Sequence, residues 1–248
     1  MMRYFIQLSY KGAPFVGWQI QPNGVSVQAL LEEGLQVMLK EPISLVGCGR
    51  TDAGVNACRF FAHFDSDLII DDQNYPFLIS KLNSWLPTEI AVAKLFLVPD
   101  DLHARFSAIE RTYLYFVDTQ KDPFTTDRAY RVYKPLDLEK MNQAAQLLLQ
   151  TSDFTSFSKL HTQVNNNFCS VTYAHWEQID NQLIFRITAN RFLRNMVRSI
   201  VGTLLMVGEG KIDLEQFQEI IDAKDRSKAG KSVPAHALFL ENVRYNMI

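Results

Sequence analysis

Gly47-Cys48-Gly49-Arg50-Thr51-Asp52-Ala53-Gly54-Val55 is the stretch on which the reading of this chain turns. Its three glycines admit positive φ at small steric cost, so it reads as a tight, exposed loop. Ile43-Ser44-Leu45-Val46 before it has the apolar content of a buried strand end, and Ala57 to Phe64 after it reads as a second strand. Working outward, Gln28 to Leu39 carries Leu31, Leu35 and Met38 at helical spacing behind Ser26, a candidate N-cap. Tyr4, Ile6, Leu8 and Tyr10 alternate as in a strand. Pro76 to Leu86 reads as a helix with its proline in the first turn, and Ala91 to Val98 as a strand. Strand-helix-strand-strand-helix-strand is the split βαβ, or ferredoxin-like, order.

The second half repeats the theme with insertions. Thr112 to Asp118 alternates, Tyr130 to Tyr133 is a short strand, and Leu138 to Leu149 is an amphipathic helix. Val171 to Gln178 and Leu183 to Thr188 flank the turn signal Asp180-Asn181. A helix is expected from about Arg191 to Val207, stopped by Gly208 and Gly210. Ile212 to Ala223 reads as another helix and Leu238 to Tyr245 as a closing strand. No Pro/Gly/Ser-rich linker intervenes. The expectation is an α+β chain of two tandem ferredoxin-like (RRM-like) halves, 1–104 and 105–248, sharing a mostly antiparallel sheet, with helices on one face and a cleft between the halves.

Asp52 lies two residues from Arg50, and a neighbouring guanidinium keeps a carboxylate ionised, fit to act as nucleophile or base. The alternative is that Asp52 only caps a turn. Arg191, Arg194 and Arg198, at i, i+3 and i+7, would share one helix face. Arg198 sits among Met196, Val197, Ile200 and Val201, where a guanidinium needs a partner; the plainer reading is an exposed basic face. Tyr113, Tyr115 and Val117 share a strand face, where aromatic residues are usually core.

Of the 248 residues, 47% are hydrophobic and 21% charged, which excludes a disordered chain. Met1 to Tyr10 lacks the apolar run of a signal peptide, and no segment could span a bilayer. Cys48, Cys58 and Cys169 have no C-x-x-C spacing, so neither a disulfide framework nor a zinc ribbon is indicated, and a reducing cytoplasm is expected. His63, His103, His161, His175 and His236 never reach metal-ligand spacing. The Asp65 to Asp72 run lacks a calcium loop's alternation, and Gly47-x-Gly49 lacks the third glycine of a dinucleotide site. No metal and no cofactor are expected. Net charge is −2, yet Arg186, Arg191, Arg194 and Arg198 cluster, as do Lys224, Arg226, Lys228 and Lys231. A locally basic cleft is compatible with salt-sensitive RNA binding, although the lysines read more simply as a solvated face.

Gly49-Arg50-Thr51-Asp52-Ala53-Gly54-Val55 resembles the active-site signature of the TruA family of tRNA pseudouridine synthases. Ala104-Arg105-Phe106-Ser107-Ala108 with Arg111-Thr112-Tyr113-Leu114-Tyr115 resembles the family's second motif, and Asn195-Met196-Val197-Arg198-Ser199-Ile200-Val201-Gly202 its third. The likeness runs in order from Tyr4 to Tyr245. It implies a pseudo-symmetric body in which Asp52 is catalytic, Arg198 is its partner and Tyr113 stacks on a flipped-out base. Arg50 is then a substrate contact, and Arg194, with Arg191, a phosphate contact. It also implies a cytoplasmic homodimer acting on uridines of the tRNA anticodon arm, on the 3′ side of stem and loop, without a cofactor. The chain departs from the family pattern at Asn56, where His is common, at Ala237, where Gly is usual, and over the uncharged stretch Val164 to Cys169. Two rival readings are an RNA-binding module of RRM-like units without catalysis, and a glycoside hydrolase, which would want a second carboxylate in the cleft.

Overall fold

The structure is a computed structural model, which describes residues 1–159 and 166–246. His161 and positions 164–165 of the uncharged stretch lie outside the described residues. Contacts group the chain into two units, Met1–Ile109 with Leu240–Ile248, and Glu110–Phe239. The boundary falls after Ile109 rather than after residue 104, and most of the closing strand packs with the first unit rather than the second.

The first unit runs β1 (Met2–Tyr10), α1 (Val27–Leu39), β2 (Val46–Gly47), β3 (Asn56–Ser66), α2 (Tyr75–Trp85) and β4 (Ile90–Val98). β1 pairs antiparallel with β3, Tyr4 opposite Phe64, and with β4, Arg3 opposite Val98. Tyr4, Ile6, Leu8, Leu31, Leu35, Phe60 and Phe64 are buried in its core, with Tyr4 stacked on Phe64 (5.6 Å between centroids). Helix α1 starts where the Ser26 hydroxyl accepts the Ala29 N–H (3.2 Å). It ends at Lys40 in the left-handed region (φ 58°).

The strand expected over Ile43–Val46 is reduced to Val46–Gly47. Side chains of α1 take up the backbone groups that a neighbouring strand would otherwise satisfy. Glu32 Oε1 accepts the Leu45 N–H (2.7 Å), Gln28 Nε2 donates to the Leu45 carbonyl (3.0 Å), and Gln36 Nε2 to that of Ile43 (3.0 Å). Buried backbone must be paired, and here a helix face does it.

The second unit comprises β5 (Ala108–Asp118), β6 (Tyr130–Arg131), α3 (Leu138–Gln150), β7 (Val171–Ile179), β8 (Gln182–Ala189), α4 (Met196–Gly208) and α5 (Leu214–Asp222). Its strand order is β5-β8-β7, antiparallel, with β6 parallel to β5. Asp180 takes the left-handed conformation (φ 51°) in the β7–β8 turn. Asp137 caps α3, and Asp213 with Gln216 forms a capping box on α5. β9 (Leu238–Tyr245) closes the chain, and the first unit's strand order is β4-β1-β3-β9. The outer strands are guarded alike. Asn83 of α2 bonds both backbone groups of Val92 (2.7 and 2.9 Å), and Asn142 of α3 both of Trp176 (2.7 and 3.0 Å). Both sites satisfy backbone that an open sheet edge would leave unpaired.

Helix α4 begins five residues later than expected. Asn195 sits at φ 66° and interrupts the helical path, so residues 191–195 lie outside α4. The shared face of Arg191, Arg194 and Arg198 therefore does not exist. Only Arg198 is helical.

Candidate active site

In the first unit the loop between β2 and β3 carries Asp52 half-buried and Arg50 exposed. The Asp52 carbonyl accepts the Val55 N–H (3.1 Å), closing a turn that Gly54 enters at φ +80°. Of the three glycines expected to take positive φ, only Gly54 does. Gly47 is instead packed under Trp18, whose indole a Cβ would strike.

The residues on either side of Asp52 are clamped. Thr51 is buried, its hydroxyl bonded to the Tyr10 hydroxyl (2.8 Å) and its carbonyl accepting the Trp18 N–H (3.3 Å). Gly17, at φ +104°, lets that loop touch the Thr51 carbonyl where any side chain would collide. Trp18 stacks on Phe60 of β3 (4.1 Å between centroids). Asn56, buried, accepts the Gly12 N–H on Oδ1 (2.9 Å). The departure from the family pattern at Asn56 thus fills a structural position, tying the loop after β1 to the loop that carries Asp52. The chain on either side of Asp52 is thus held by buried polar contacts.

In the same unit His63 is buried and neutral. Burial, then the charges of Arg3 and His103, pull its pKa to about 4 against the attraction of Asp65. Its Nδ1 accepts the Ala104 N–H (3.0 Å), which fixes the proton on Nε2. It anchors the start of the second motif.

In the second unit Arg198 donates through Nε to the Val233 carbonyl (2.7 Å), while the Val233 N–H donates to the Arg198 carbonyl (3.2 Å). The hydroxyl of Tyr115, fully buried, donates to the next carbonyl, Pro234 (3.0 Å), and burial raises its pKa above the usual phenol value. Arg198 and Tyr115 thus grip consecutive residues of one segment. Tyr113 is half-exposed and meets Phe192 edge to face (5.1 Å). Arg194 is exposed, its carbonyl accepting the Lys159 N–H (3.1 Å), and Arg191 reaches Asn166 Oδ1 (3.5 Å).

The sequence offered no sign of the clamps at Tyr10, Trp18 and Asn56 or of the Val233 segment. Each is a contact between residues far apart in the chain. Among the described residues no cluster of three His, Cys, Asp or Glu could hold a metal ion, and no helix is long and apolar enough to cross a membrane.

A family model described as tRNA pseudouridine synthase matches residues 144–246. Over 245 residues the chain is 53% identical to the tRNA pseudouridine synthase A of Parabacteroides distasonis, spanning 99% of this chain and 96% of that one. Identity to the protein of the same name from Bacteroides thetaiotaomicron is 50% over 248 residues (99% and 91%). Identity to that from Bacillus subtilis is 41% over 249 residues (99% and 100%).

Proposed function

The chain belongs to the tRNA pseudouridine synthase A family, and from that membership we propose that it isomerises uridine in the anticodon arm of tRNA with Asp52 as the reactive group. The reaction breaks the N1–C1′ bond, turns the base and joins C5 to C1′. The proton leaves C5 and N1 gains one, so atoms balance without redox chemistry or an energy source. A carboxylate can serve by attacking C1′ or C6 or by taking the C2′ proton.

The observation that carries this reading is the Asp52 turn, held on one side by Thr51 and on the other by Asn56. A capping aspartate has no need of such bracing; a group that must meet one atom of a flipped-out nucleotide does. Arg198 is read as the partner of Asp52, and its Nε–H bond to Val233 supports a fixed guanidinium. Tyr113, half-exposed beside Phe192, is read as the stacking platform for the base. Arg50 and Arg194, both exposed, are read as contacts to the RNA backbone.

The two units are read as tandem ferredoxin-like bodies, the first bearing Asp52 and the second Tyr113 and Arg198. The strand and helix order of the first, and the Asn83 and Asn142 clamps common to both, support this. A cytoplasmic homodimer is inferred from family likeness, and a monomer in sedimentation at micromolar concentration removes that part.

The deciding experiment is Asp52→Asn assayed by tritium release from C5-labelled uridine in tRNA. Turnover is expected to vanish with tRNA affinity and melting temperature kept. Loss of all three together would make Asp52 a structural residue.

A further inference from the structure

Beyond α5 the chain turns tightly at Asp225–Ser227, and the guanidinium of Arg226 is held over the segment that follows. Its Nη1 donates to the Ala229 carbonyl (3.4 Å) and its Nη2 to Ser232 Oγ (2.9 Å), which also takes the Asn195 amide (2.5 Å). The acids nearest in sequence are spent elsewhere. The Asp225 carboxylate accepts the Ser227 N–H and hydroxyl, each at 2.8 Å, and Asp222 accepts the Gln218 amide (3.1 Å).

Among the described residues no carboxylate pairs with Arg226, and burial alone lowers its pKa, with no neighbouring charge opposing. A guanidinium held in place by neutral partners can take an anion from outside the chain. Arg226 has a fixed fork and, among the described residues, N–H groups beyond the two that bond Ala229 and Ser232. Lys228 and Lys231, both exposed, add positive charge to the same short segment.

We propose that Arg226, its fork braced by Ser232 and flanked by Lys228 and Lys231, is a contact for a backbone phosphodiester of the bound tRNA. The planar guanidinium suits the two oxygens of a phosphodiester, and a fixed fork loses little freedom on binding. This rests on the reading that tRNA is the substrate.

The test measures tRNA affinity against salt concentration, and pseudouridine formation against tRNA concentration, for wild type, R226Q, R226K and K228Q/K231Q. R226Q is expected to flatten the logarithmic salt slope by about one unit. It should also raise KM several-fold while the saturating rate keeps at least half its value. R226K should keep the salt slope, and K228Q/K231Q should flatten it. A wild-type slope in R226Q, with a reduced saturating rate, overturns the proposal and makes Arg226 a brace for the segment that holds Arg198. If R226Q does not fold, a wild-type slope in K228Q/K231Q overturns it. Failure of the wild-type protein to bind tRNA at all would instead sink the reading on which the proposal rests.

Discussion

The side chain of Asn56 is a single buried acceptor four residues from Asp52. Removing it by Asn56→Ala leaves the Gly12 N–H buried without a partner, which costs about 1–3 kcal/mol. The expected result is a lower melting temperature together with slower turnover, since the Asp52 turn loses one of its two clamps. An unchanged rate at saturating tRNA would show the clamp to be dispensable for chemistry. At Arg198, replacement by Lys keeps the charge and loses the planar fork that both bonds Val233 and presents the terminal nitrogens. Single-turnover rates should fall sharply while tRNA affinity holds; a salt slope flattened by about one unit in Arg198→Ala would make Arg198 a phosphate ligand instead.

His63 supplies a pH-dependent prediction. Its folded pKa of about 4 lies below the unfolded value near 6.5, so between those values the unfolded chain holds more protons. Stability is therefore full above about pH 6.5 and falls as pH drops through about 4, by up to about 3 kcal/mol from this residue. His63→Asn keeps an acceptor for Ala104 but cannot titrate, and urea midpoints should become flatter across that window. Midpoints as steep as in the wild type would place the acid sensitivity elsewhere.

Among the elements, α4 and the segment lying across it approach closely at Gly202. A Cβ at Gly202 would run into the Lys231 carbonyl, and the Gly230 backbone presses on the same place. Gly202→Ala is expected to destabilise by about 1–3 kcal/mol and, by lifting Val233 from Arg198, to lower activity as well. Gly49 makes the contrast. Among the described residues beyond its chain neighbours, none comes within 4 Å of where a Cβ would stand, and its φ is not positive, so Gly49→Ala should change stability by less than about 0.5 kcal/mol. Denaturant unfolding of the two variants checks both.

Elements whose signals are local were legible in the sequence. The Ser26 cap set the start of α1 to within a residue, and Asp180-Asn181 marked its hairpin. The onset of α4 was not, because the apolar spacing continues upstream of Asn195 and only backbone geometry breaks it. The short β2 was hidden for a related reason. Whether Ile43–Leu45 pairs with a strand or with Glu32, Gln28 and Gln36 is decided in three dimensions. The motif residues themselves were visible, whereas Tyr10, Trp18 and Asn56, which hold the motif still, carry no periodic or compositional signal.

At the scale of the whole molecule, the first unit is discontinuous in sequence, closed by residues from Leu240 onward. Tyr245 is buried, its ring edge-on to Phe5 and Phe61 (5.6 and 5.4 Å) and its hydroxyl on the Ala104 carbonyl (2.6 Å). Shortening the chain to end at residue 239 should abolish slow amide exchange in β1 and β3 while that of β7 and β8 persists. Retained protection in β1 would mean that this unit is stable without its last strand. Tyr245→Phe, which removes only the hydroxyl, should lower the melting temperature modestly, by the equivalent of about 1 kcal/mol.

The same discontinuity orders events on the ribosome. Domains ordinarily fold from the amino terminus as they emerge, but here the stretch from Glu110 to Phe239 leaves the exit tunnel as a finished unit before the first can close. The first unit must wait for a strand made more than a hundred residues after Ala104, a contact of long sequence separation and hence slow to form. A nascent chain therefore matures from its middle outward, and the first unit closes only when synthesis of the described fold is all but complete.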